Sequence, residues 1–136
     1  MKVYRTNDEL DNMLHAGAAS SADIELRDEV QHQVAQLKEG GYLDPCDMMT
    51  VVQMEVGDPI AALENLMHIL VLRNRWTGIG YGSQGFTPSW ETAEEYDHWY
   101  VVVFVMSDDG FGYLVFVPKD HDSQLPVALK EHIVNQ

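Results

Sequence analysis

The chain is short of three things, and each shortage excludes a class of protein. Among its 136 residues there is one cysteine, Cys46. That rules out an internal disulfide and any zinc site built from several thiolates. Eight Lys and Arg stand against 22 Asp and Glu, a formal charge of −14. Such a field repels nucleic-acid phosphates and anionic lipid, so direct nucleic-acid binding and membrane binding are not expected. No apolar stretch approaches the roughly 20 residues that cross a bilayer. The first residues, MKVYRTNDEL, also hold no apolar run of the signal-peptide kind. Together these features lead us to expect a cytoplasmic protein.

Catalytic signatures are equally scarce. There is no G-x-S-x-G elbow for a nucleophilic serine. Nor is there a pair of histidines at i, i+4 with a glutamate, the helical arrangement that holds zinc. Cys46 lies between Asp44 and Asp47, and nearby carboxylates raise a thiol's pKa, the wrong direction for a nucleophile. We therefore expect no cofactor and lean away from an enzyme.

What is present is a core. Hydrophobic residues make up 46% of the chain, enough for one domain over 1–136 to bury roughly two thirds of its unfolded surface. The strongest local signal is YVVVFVMSDDGFGYLVFVPK, Tyr100 to Lys119. Two β-branched and aromatic runs flank Asp109-Gly110, a hairpin signature. Both faces of both strands are apolar, although a sheet with one wet face alternates. The hairpin is thus expected to be central, at about 99–107 and 111–118. Two further strands are expected at about 48–56 and 89–95.

Helices are read at about 7–16, 21–39, 59–68 and 123–134. Thr6 and Glu9 form a capping box for the first. Ser20 or Ser21 caps the second, where Leu26, Val30, Val34 and Leu37 recur at helical spacing and Gly40-Gly41 stops the run. The remaining face of that helix, with Glu25, Asp28 and Glu29, reads as wet. Asp58-Pro59 is a helix start of the N-cap and N1 type. The segment 68–72 reads equally as helix or strand. The fold class is α+β: an antiparallel sheet of about four strands with a central hairpin, covered by N-terminal and C-terminal helices.

Several residues are candidates for function. Gly80, Gly82 and Gly85 form a G-x-G-x-x-G, but Phe86-Thr87-Pro88 follows where a phosphate-binding helix should start. With Arg73 and Arg75 they define a candidate ligand cleft at the glycine-rich loop 77–88, edged by the acids at 91–97. Asp97, His98, His121 and Asp122 flank the open end of the hairpin and form the nearest approach to a metal set. Val101, Val103, Val105, Trp90 and Trp99 are candidates for an interface with a second copy, since two-fold dimers are the commonest oligomers.

The pattern Gly85-Phe-Thr-Pro-Ser-Trp-Glu91, then Ser107-Asp-Asp-Gly-Phe-Gly112, then Phe116-Val-Pro-Lys119 resembles a group of small acidic bacterial proteins of unassigned function, over about residues 48–120. The resemblance implies an α+β domain in the bacterial cytoplasm and brings no catalytic residues. The reading that best joins these features is a non-enzymatic interaction protein. Its partner would be a basic or nucleic-acid-binding protein, met by nucleic-acid mimicry in a counter-defence setting. The alternative is a small enzyme or ligand-binding domain with its cleft at loop 77–88.

Overall fold

The computed structural model describes residues 1–17, 20–67, 86–89, 96–106 and 112–120. They form an α+β fold built on one five-stranded sheet in the order β1-β2-β5-β4-β3. The strands are β1 Lys2–Tyr4, β2 Met49–Gln53, β3 Phe86–Ser89, β4 Trp99–Met106 and β5 Gly112–Pro118. The helices are α1 Asn7–His15, α2 Ser21–Glu39 and α3 Ile60–Met67, with a 3-10 turn at Pro45–Asp47.

The helix ends follow local chemistry. Thr6 Oγ1 accepts the Glu9 N–H at 3.1 Å, while the Glu9 carboxylate reaches back to the Arg5 N–H rather than to Thr6. Ser20 Oγ accepts the Asp23 N–H at 3.2 Å and opens α2. At its other end, Gly41 takes a φ of +96°. Its N–H bonds to the Lys38 carbonyl, and that of Tyr42 to the Leu37 carbonyl. This pair of bonds satisfies two terminal carbonyls and needs a residue free to adopt positive φ. The Asp58 carboxylate, just ahead of α3, accepts the Glu55 N–H at 2.8 Å and pairs with the N-terminal amine at 2.9 Å.

The sheet is mixed rather than purely antiparallel. β4 pairs antiparallel with β5, Val102 opposite Val115 and Trp99 opposite Pro118. β2, however, runs parallel to β5, Val52 beside Val115. β1 adds an antiparallel edge that the sequence did not announce. β3 is the other edge, where Pro88 leaves no central ladder bond missing. It covers Phe86–Ser89, earlier than the expected 89–95. The rest of that expected strand, the helix expected at 123–134 and the tip at Asp109-Gly110 lie outside the described residues.

Residues paired across a ladder share a face, so the register sorts the sheet. On one face, Met49, Val51, Trp99, Val101, Leu114 and Phe116 form a core with Leu10 of α1 and Leu26 and Val30 of α2. Trp99 meets Phe116 edge to face, with centroids 6.0 Å apart at 84°. The opposite face holds Val52, Val115 and Val117, all fully buried, as is Leu63 of α3. The two-sided burial expected from the apolar hairpin is therefore present along β5. Trp99 and Val101, first read as surface for a second copy, are core residues beneath α2. Val103 shares their face by register through its pairing with Leu114.

Candidate functional site

The polar centre of the structure is the junction between α2 and the entry to β4. Glu25 and Glu29 lie one helical turn apart, and each grips the incoming segment. The Glu25 carboxylate accepts the backbone N–H of Asp97 at 2.8 Å and of His98 at 3.2 Å, and lies 2.5 Å from the His98 Nδ1. Glu29 is 2% exposed, which corrects the wet-face reading. It accepts the Tyr96 hydroxyl at 2.8 Å and the Gln33 side-chain amide at 2.9 Å. The Trp99 indole N–H donates to the Ala22 carbonyl at 2.8 Å. Buried polar groups persist when their partners are supplied, and here the partners come from elements about 70 residues apart in sequence.

These contacts move the Glu25 pKa. Partial burial pushes it up, but the Asp97 N–H, the His98 ring and the His98 N–H together outweigh burial and hold it below the ordinary value of 4.5. A carboxyl with a depressed folded pKa stabilises the fold above its unfolded value, and that contribution is lost as pH falls through the folded one. Stability is therefore expected to decline from pH 4.5 downward, and Glu25→Gln to flatten that decline. Urea titrations across this range check it. An acid limb unchanged by the substitution would remove the Glu25–His98 pair as its cause.

Beside this junction lies a cavity of about 520 Å³. Met54, Trp99, Pro118 and Ala22 supply apolar lining, and Glu55, Asp97, His98, Lys119 and Asp120 line it with polar groups. It opens just past the carboxyl ends of the parallel pair β2 and β5. In sheets with parallel strands this end is the habitual place for ligands.

A second feature is acidic. Residues 5–47 hold ten Asp and Glu against three Lys and Arg, a net −7 and half of the total charge. Asp8, Glu9 and Asp11 of α1 and Asp44 and Asp47 around the 3-10 turn are exposed. Burial chiefly, then Glu9, Asp11 and Asp47, raise the Cys46 thiol above 9.0, so acids from two elements gather round one point. Cys46 is buried, and its N–H donates to Asn7 Oδ1 at 3.1 Å, which makes it a core residue rather than a nucleophile. Next to these acids, Leu43 is 83% and Tyr42 45% exposed. The Arg27 guanidinium donates to the Ala16 and Gly17 carbonyls at the end of α1.

The other candidates fall apart. Among the described residues no group of three His, Cys, Asp or Glu is placed to hold a metal ion. His98 is committed to Glu25, and His121 and Asp122 lie outside the described residues. So do Arg73, Arg75, Gly80, Gly82, Gly85 and Trp90, and with them the cleft expected at 77–88. Among the described residues no helix is long and apolar enough to cross a membrane. No family model, curated protein or solved structure matches the chain at a significant level.

Proposed function

We propose that the protein is a non-enzymatic interaction protein whose acidic helical layer receives a basic partner. The observation that carries this reading is the gathering of α1 and 3-10-turn carboxylates beside exposed Leu43 and Tyr42. Carboxylates steer a basic surface and fix its register, while an apolar anchor beside them supplies desolvation energy. A nucleic-acid-binding protein is the partner this charge suits best, and nucleic-acid mimicry with a counter-defence role in a bacterial cytoplasm is the sharpest form of the proposal. Trp99 and Val101, two of the residues first read for a homodimer, are packed within one chain.

The test is a pull-down from bacterial lysate with the wild type and with Asp11→Asn, Asp44→Asn, Asp47→Asn combined. Basic or nucleic-acid-binding proteins are expected on the wild type at about 50 mM salt and to be released near 300 mM, where screening shortens below the span of the patch. The triple variant should bind them at least about tenfold more weakly, since each exposed charge contributes up to about 1 kcal/mol. Capture of no basic protein at low salt, or equal capture by the variant, removes the proposal.

A further inference from the structure

The cavity at the ends of β2 and β5 does not belong to the acidic layer, and its chemistry is different. Its volume of about 520 Å³ lies within the roughly 300–1,000 Å³ usual for small-molecule sites. Val56, 44% exposed, and the edge of Trp99 give it accessible apolar surface above the fully buried Met54. The charged residues that line it are Glu55, Asp97 and Asp120, with one basic residue, Lys119. Among the described residues none of those three acids is in a salt bridge. The Lys119 Nζ sits 5.5 Å from the Tyr100 ring centroid, in reach of a cation–π contact. The His98 ring is turned to Glu25 at 2.5 Å.

We propose that this cavity binds a small organic cation, an aromatic or aliphatic body carrying a protonated amine. The body is desolvated against Val56 and the edge of Trp99, which the hydrophobic effect favours. The amine meets a lining in which acidic residues outnumber the basic one three to one. An anion of the same shape meets like charge instead, and like-charge juxtaposition is how a site rejects a competitor. The walls are held before any ligand arrives. Trp99 is tied to Ala22, and Asp97 and His98 are tied by their backbone to Glu25. Preorganisation of this kind lowers the ordering cost of binding.

The experiment is an amide NMR titration of the full chain with 2-phenylethylamine, phenylacetate and ethylamine at one pH and salt. Saturable shifts with 2-phenylethylamine are expected at residues 53–56, 97–99 and 118–120. Phenylacetate and ethylamine should each bind at least about tenfold more weakly, the first for its charge and the second for its missing body. The exposed pair Asp97→Asn and Asp120→Asn should cost the amine about tenfold in affinity while leaving the spectrum dispersed. Absence of saturable shifts at these residues, equal binding of phenylacetate, equal binding of ethylamine, or an unaffected double variant would each overturn the site. None of these results bears on capture of a basic protein by the α1 acids, so the two proposals fail separately.

Discussion

Val115→Asp is expected to leave the protein unfolded at 25 °C. Val115 is fully buried at the middle of β5, between Val52 of β2 and Val102 of β4. Its face is the one opposite α1 and α2. The cation that shares this face by alternation, Lys119, stands four residues further along the chain with its ammonium over the Tyr100 ring. Desolvating the new carboxylate costs several kcal/mol even after relaxation, and the lost valine burial adds about 1.5–3 kcal/mol. Small domains have only about 5–15 kcal/mol of stability to lose. Circular dichroism and dispersion of the amide spectrum read the outcome. The control is Leu43→Asp at an exposed position, where a change within about 0.5 kcal/mol is expected. A folded Val115→Asp protein would mean that this side of the sheet is open to water.

Phe116→Ala probes the other side. Phe116 is fully buried, packs edge to face on Trp99 and lies in the same cluster as Leu10, Leu26 and Val30. Truncating it removes the ring and leaves a cavity that β5, held on both sides, cannot collapse to fill. The expected loss is about 3–5 kcal/mol, measured by urea denaturation. The aromatic pair contributes about 0.5–1.5 kcal/mol of this beyond area. A loss below about 1 kcal/mol would mean that Phe116 is not enclosed between the sheet and α2.

The two substitutions sit one residue apart and report on opposite layers, which is what the unbroken apolar run in YLVFVP implied. That much was legible, because a strand without alternation has nowhere to place a wet face. Continuous apolarity is also the mark of strands with parallel neighbours, yet nothing local in Met49–Gln53 says which strand it will join or in which direction. The β2–β5 pairing is a long-range choice, so the mixed sheet was not visible. β1 was missed because three residues carry no period. The ends of α1 and α2 were legible because Thr6, Ser20 and Gly41 act on backbone groups within a few residues of themselves.

The polar junction was less legible. Glu25 and His98 are 73 residues apart, and each alone reads as a solvated charge. Glu29 looked wet beside Asp28 and Gln31, although it lies three residues after Leu26 and four before Gln33, on the flank of the apolar stripe. A carboxylate at a stripe's edge with an amide four residues on was the available signal. The acid excess over 5–47 was plain in the composition. That acids from α1 and the 3-10 turn gather round Cys46 required the fold.

The position of β5 carries the architecture: it pairs with β2 on one side and β4 on the other, and both of its faces are closed. Native-state hydrogen exchange at the amides of Val115, Phe116 and Val117 reads it most directly, because successive amides along a strand point to opposite neighbours. All three are expected to exchange only through global unfolding, with protection equal to the unfolding free energy from urea. Fast exchange at alternate amides would show β5 to be an edge strand and would contradict the fold on which both proposed surfaces are built.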